Sequence, residues 1–249
     1  MLLKSYINYL RESNCSELTI SHYKNILSKL LKNELNFNNL RDFIVSYSNG
    51  NTQQNYYAII KSFLTYSKKF ELINELANIR LSKQQPKLYY TLTREQILKR
   101  LKISINDNKR TIIKKLTLLF IFETGIRVFE LSKLKYENNN IYVINGKGKK
   151  TREIMYNSET FFALRPYFDY IKKLTRQTIH RWCKSYFYDF NISPHSLRRS
   201  FATYLNKQGM NIQLIQRQLG HSNINTTYLY IHNNKDEIVN AYNKYMLNK

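Results

Sequence analysis

Three short stretches toward the C-terminal end hold the side chains best suited to chemistry. They are Pro194-His195-Ser196-Leu197-Arg198, Leu219-Gly220-His221-Ser222 and Thr226-Thr227-Tyr228-Leu229-Tyr230. Together they offer hydroxyl nucleophiles, proton carriers and a cationic donor at set spacings. Such groups can cut a DNA phosphodiester without a metal: a tyrosine oxygen attacks, and cationic donors hold the phosphate while charge builds on its oxygens. Pro194 suits the first position of a helix, so His195 and Arg198, three residues apart, share one face of it. The amides of that helix start add affinity for a phosphate. Arg199, about a quarter-turn round the helix, is an alternative phosphate contact.

Two upstream features belong with these. Gly125-Ile126-Arg127-Val128-Phe129-Glu130 follows the apolar run Ile112–Phe122. Arg127 there is either aimed into a cleft or an ordinary surface arginine, and Glu130 either orients it or forms a solvated pair. Asn145-Gly146-Lys147-Gly148-Lys149-Lys150 reads as a basic hairpin loop, where glycines on both sides of Lys147 allow close approach to a DNA backbone. A lysine suits both proton donation and phosphate binding. Tyr228 and Tyr230 follow His221 by seven and nine residues, but the chain has 21 tyrosines. The ordered conjunction of arginine, lysine, HxxR, GH and tyrosine therefore says more than any one spacing.

The charge agrees with a polyanionic partner. The net charge is +23; residues 1–80 carry 10 Lys and Arg against 6 Asp and Glu, and residues 93–249 carry 28 against 11. Positive charge thus gathers where the motifs lie. A membrane partner is disfavoured, because the longest strongly apolar run, Leu118–Phe122, is five residues against the roughly 20 a span requires. No secretory leader is expected. Cys15 and Cys183 have no framework spacing and read as reduced thiols in a cytosolic compartment. CxxC and HExxH patterns are absent, so no structural zinc is expected, and no cofactor is expected.

These groups need elements to hold them. The first eighty residues read as four or five short helices. Leu18, Tyr23, Ile26, Leu27, Leu30 and Leu31 form one helical face. A short helix is expected over Leu40–Tyr47. Asn51-Thr52 caps a longer helix running to about Lys69, with Tyr56, Ile59, Ile60, Phe63 and Leu64 inward. Polar Ser82–Lys87 sits in a linker spanning 81–92. Thr93 and Gln96 form a capping-box pattern that opens the next domain, 93–249. Its central helix is Ile112–Phe122. Ile141–Ile144 and Arg152–Met155 are strand-like runs flanking the basic loop. From about Thr175 the pattern is helical, with breaks at Pro194, Gly209 and Gly220. The expected fold is mainly α with a small β-hairpin sheet.

At these residues the chain resembles the tyrosine recombinases, also called phage-type integrases, and among them the compact Xer-like members. The likeness is strongest in Thr-Gly-Ile-Arg-Val-Phe-Glu-Leu from Thr124, Asn-Gly-Lys-Gly-Lys-Lys-Thr-Arg from Asn145, Ser-Pro-His-Ser-Leu-Arg-Arg-Ser-Phe-Ala-Thr from Ser193, and Leu-Gly-His-Ser-Asn-Ile-Asn-Thr-Thr-Tyr-Leu-Tyr-Ile-His from Leu219. The resemblance implies catalytic roles for Arg127, Lys147, His195, Arg198, His221 and the nucleophile Tyr230, with Glu130 in support. Lys149, Lys150, Arg152, Arg176 and Arg199 become candidate DNA contacts. Residues 1–80 become a core-binding domain that clamps DNA opposite a catalytic domain. A site-specific recombinase is implied, working through a 3′-phosphotyrosine and a Holliday junction without metal or ATP. A homotetramer, or a heterotetramer with a related recombinase, would assemble on double-stranded DNA in the cytoplasm at the nucleoid. The segment Asn157–Lys173 looks shorter than in most relatives, and the arm-binding domain of lambda-type integrases is not expected. A type IB topoisomerase-like enzyme and a non-catalytic DNA-binding protein are the rival readings.

Overall fold

The computed structural model describes residues 2–82, 90–144 and 151–221. The chain divides into two compact units, Met1–Lys87 and Leu88–Lys249.

The first unit contains five described helices: α1 (Leu2–Glu12), α2 (Glu17–Leu30), α3 (Phe37–Val45), α4 (Gly50–Tyr66) and α5 (Phe70–Leu76). Ser16, Asn36 and Asn49 cap α2, α3 and α4 by accepting from amides of the first turn. The α4 cap is thus Asn49, two residues before the expected Asn51-Thr52, and the helix stops at Tyr66 rather than near Lys69. Tyr6, Leu27, Leu40, Ile60, Phe63 and Leu64 are fully buried, and the Tyr6 hydroxyl donates to Ser62 Oγ at 2.8 Å. Leu18 departs from its expected face: it is 85% exposed. Nine residues at about 100° each turn it to the side of α2 opposite buried Leu27. Leu81 packs against this core, and the Ser82 amide donates to Gln53 Oε1 at 2.7 Å. The first unit therefore holds the chain at least to Ser82.

In the second unit Leu92 is already buried and its amide donates to Ser200 Oγ. The helix α6 (Arg94–Leu101) opens with the Thr93–Gln96 capping box. Helix α7 (Lys109–Thr124) starts at the Asn108 cap and buries Leu116, Leu118, Phe120, Ile121 and Phe122. A 3-10 turn, Val128–Lys133, leads into an antiparallel sheet of β1 (Leu134–Glu137), β2 (Asn140–Val143) and β3 (Arg152–Ile154), ordered β1-β2-β3. The sequence reading anticipated β2 and β3 but not β1. Its signal is the turn: Asn138 and Asn139 both take positive φ, 50° and 60°, so a two-residue hairpin pairs Glu137 with Asn140.

The remaining described helices are α8 (Ser158–Leu164), α9 (Phe168–Lys172), α10 (Arg176–Tyr186), α11 (Pro194–Lys207) and α12 (Ile212–Leu219). Helix α7 contacts α6, α8, α10 and α11. Ile141, Val143 and Ile154 bring the sheet's inner face into the same core.

Candidate active site

The site forms where helices stop. Helix α7 ends at Gly125, which takes the left-handed conformation at φ 63°. A Cβ at that position would collide with the Phe201 ring and lie 2.8 Å from Leu219 Cδ2, so only glycine turns the chain here. Helix α12 ends the same way at Gly220, φ 66°, with the His221 amide reaching back to Gln216 O at 3.1 Å. Gln216 Nε2 donates to His221 O at 2.9 Å, so the His221 backbone is tied at both its polar atoms.

Arg198 projects from α11 into the space between these two ends. It is 1% exposed. Its Nη1 donates to Gly125 O at 2.6 Å and its Nη2 to Leu219 O at 2.7 Å. Nη2 also lies 2.7 Å from His221 Nε2. Arginine has only donors, so Nε2 accepts and the proton of the neutral imidazole is assigned to Nδ1. Carbonyls at a helix C-terminus lack partners within the helix and carry the negative end of its dipole, which suits a buried guanidinium.

Arg127 begins the 3-10 turn. Its Nη1 donates to Glu130 Oε1 at 3.1 Å, and its backbone amide to Glu130 Oε2 at 2.8 Å. Longer contacts of 3.4–3.5 Å reach Leu219 O and Gly220 O. Arg127 keeps 19% of its side chain exposed, whereas Glu130 has none. Glu130 is therefore the orienting partner and not half of a solvated pair. Burial works against its ionisation, but the hydrogen bonds and charge of Arg152, then those of Arg127, outweigh it and hold its pKa below the usual carboxylate value.

His195 stands in the first turn of α11, after the Ser193 cap and Pro194. The residue is exposed to solvent. Desolvation, then the charges of Arg199, Arg198, Arg127 and Arg176, lower its pKa to about 4. Exposure to solvent screens part of that field. His221 is 8% exposed. Desolvation, then Arg198, Arg127, His195 and Arg152, lower it to about 3. Both imidazoles are neutral at physiological pH until an anion offsets the surrounding positive charge.

Among the expected site residues, Arg127, Glu130, His195, Arg198 and His221 converge. Arg176 is exposed and, with Arg199, bears electrostatically on His195. Arg152, expected at the DNA, instead turns its guanidinium to Glu130. Lys147, Lys149, Lys150, Tyr228 and Tyr230 lie outside the described residues. Sequence reasoning did not single out Gln218. Its side chain accepts from the Met155 amide at 2.9 Å and donates to Met155 O and Thr124 O at 2.9 and 3.1 Å, joining β3 to the ends of α7 and α12. A surface-type amide in a helix carries no sequence signal for that task.

Two arginines and two histidines thus come together on a mainly helical domain with a three-stranded sheet, a grouping whose chemistry suits a phosphate. Residues 90–237 match the phage integrase family, and the chain belongs to that family. It is a site-specific recombinase acting on DNA, and the topoisomerase-like and non-catalytic readings are not favoured. The chain is 29% identical to tyrosine recombinase XerA of Pyrococcus horikoshii, over 92% of its own length and 88% of the relative's. It is 28% identical to tyrosine recombinase XerD of Rickettsia conorii, over 91% and 90%. Its fold is similar to that of the Tn1549 transposon integrase in complex with circular intermediate DNA, with a TM-score of 0.72 at 19% identity, covering 96% and 98% of the two chains. It is also similar to XerH recombinase bound to palindromic difH substrate, with a TM-score of 0.69 at 22% identity, covering 99% and 84%. Among the described residues no helix is long and apolar enough to cross a membrane.

Proposed function

We propose that this recombinase cuts its target with Tyr230, in a pocket formed by Arg127, His195, Arg198 and His221. The convergence of both arginines on the carbonyl of Leu219 carries the reading, because it brings two guanidinium groups to one place beside two imidazoles. The Tyr230 oxygen attacks the scissile phosphorus and the bond to the 5′-oxygen breaks. Arg127 and Arg198 hold the non-bridging oxygens as negative charge gathers there. His195 takes part in proton transfer at the tyrosine, His221 donates to a phosphate oxygen, and Lys147 protonates the departing 5′-oxygen. The products are a 3′-phosphotyrosine and a 5′-hydroxyl. The ester conserves the bond energy, so a partner strand's 5′-hydroxyl reverses the step without ATP. Two such exchanges pass through a Holliday junction.

The first unit, packed as far as Ser82, clamps the duplex as a core-binding domain, a short linker follows, and the second unit, packed from Leu92, carries catalysis. Lys149, Lys150, Arg176 and Arg199 contact the DNA backbone. Four copies, or two of this chain with two of a related recombinase, assemble on the site, in the cytoplasm at the nucleoid. The recombination serves Xer-like dimer resolution, or DNA inversion or integration. Covalent trapping tests the chemistry: the protein is incubated with nicked duplexes from a pooled AT-rich library and resolved under denaturing conditions. A 3′-linked adduct is expected with the parent and Tyr228→Phe, and none with Tyr230→Phe. Loss with Tyr228→Phe alone moves the nucleophile, and salt-sensitive binding with no adduct overturns the cutting reaction.

A further inference from the structure

We infer that Arg152 is a positioning residue of the active site rather than a contact to DNA. Its Nη1 and Nη2 each donate to one oxygen of Glu130 at 2.9 Å, a parallel two-bond fork, and its Nε donates to Gln218 O at 3.2 Å. Glu130 also holds the backbone and guanidinium of Arg127. One buried carboxylate thus receives both arginines and accepts four hydrogen bonds. With Arg152 filling a site on each oxygen, Glu130 is held square and offers Arg127 a fixed direction.

The other face of the Arg152 guanidinium lies under the turn that delivers His221. A Cβ at Gly220 would stand 2.7–2.8 Å from Cζ, Nε and Nη1 of Arg152. The guanidinium plane and the Gly220 backbone are therefore in direct contact. One side chain from β3 thus supports the orienting partner of Arg127 on one side and the turn before His221 on the other. Only 15% of it is exposed. Lysine cannot copy this, because one ammonium cannot form the flat fork.

The inference rests on the reading that Arg127 and His221 meet the scissile phosphate, so the test carries its own controls. Arg152→Lys, Arg127→Lys and Tyr230→Phe are compared in the full chain, on the nicked duplex recovered by trapping. Binding is followed against salt, and adduct formation at saturating DNA, with circular dichroism melts alongside. Arg152→Lys is expected to bind with unchanged affinity and salt dependence and to form adduct roughly 10–100-fold more slowly, as when groups behind a functional ligand are lost. Arg152→Gln should keep the parent's salt slope too. A slope reduced by about one in Arg152→Gln, with normal adduct formation at saturation in both variants, would mark a phosphate contact and sink the inference. Normal adduct formation by Arg127→Lys and Tyr230→Phe would instead sink the site reading itself.

Should the variants fail to fold, labelled arginine side chains of the parent protein decide. The Arg152 Nη resonances are expected to stay in place when the duplex is added, while those of Arg127 move. Movement of the Arg152 resonances to the same extent overturns the proposal.

Discussion

Arg127 and Arg198 donate to the same atom, the carbonyl oxygen of Leu219, at 3.5 and 2.7 Å. The two bonds are unequal. The longer is weak by distance alone, and Arg127 is partly exposed where Arg198 is buried. Arg198 is therefore a structural element whatever its part in the proposed cleavage, and Arg127 is the less firmly held of the two.

Replacement should separate these roles. Arg198→Ala removes the donor to the Gly125 carbonyl and leaves the Leu219 carbonyl with the long bond from Arg127, each hydrogen bond to a charged group being worth about 1.5–3 kcal/mol. A loss of ~3 kcal/mol is expected in urea unfolding, together with loss of adduct formation. Arg127→Ala should cost less stability, about 1 kcal/mol, while slowing adduct formation by roughly 10²–10³. Equal stability losses in the two variants would contradict this division.

The histidines make stability fall in acid. Their folded pKa values, about 4 for His195 and about 3 for His221, lie below the ordinary 6.5. Below pH 6.5 the unfolded chain takes up protons that the folded chain refuses, so stability drops as pH falls toward those values. Above pH 6.5 neither state binds the proton and the effect is absent. For buried His221 the slope approaches about 1.4 kcal/mol per pH unit. Urea midpoints of His221→Gln should fall less steeply between pH 6.5 and 4 than those of the parent. DNA should reverse the field: phosphate raises both pKa values, so proton uptake is expected when binding is followed calorimetrically in two buffers.

Two glycines with positive φ give a matched comparison. Gly125→Ala must take the left-handed conformation and push aside Phe201 and Leu219, whereas Gly209, φ 82°, has nothing within 4 Å of an added Cβ. Gly209→Ala should cost only the backbone term, about 1–2 kcal/mol. Gly125→Ala should add overpacking of about 1–3 kcal/mol. It should also slow adduct formation, since Gly125 O anchors Arg198.

In the first unit, Leu18→Ser should change stability by less than about 0.5 kcal/mol, because Leu18 faces solvent. Leu27→Ala should cost about 2–5 kcal/mol. Denaturant midpoints check both.

Much of this was legible in the sequence where a local rule operates. The Thr93–Gln96 box, the buried face of α7 and the breaks at Gly209 and Gly220 each follow from a few adjacent residues. Leu18 was misassigned because it counts as apolar in any pattern, and only its angle to Leu27 shows that it is outside. The strand β1 was missed because its cue lies in the Asn138-Asn139 turn rather than in its own composition. For the site, types and spacing were enough to collect Arg127, Glu130, His195, Arg198 and His221. The orientation of Arg152 was not readable, because it depends on β3 meeting α12 across 66 residues of chain. Gln218 was hidden for the same reason.

The anchors of the two arginines are mostly main-chain oxygens, those of Gly125, Leu219 and Gly220. A carbonyl is present whatever side chain its residue bears, so no substitution deletes it. What must be inherited is the course of the backbone at two helix ends, and that is specified by very few positions. Side chains can change widely around such a frame without deleting its anchors. The same economy limits engineering. Grafting the five charged and imidazole side chains onto another scaffold would transfer little unless the two glycine-terminated helix ends went with them.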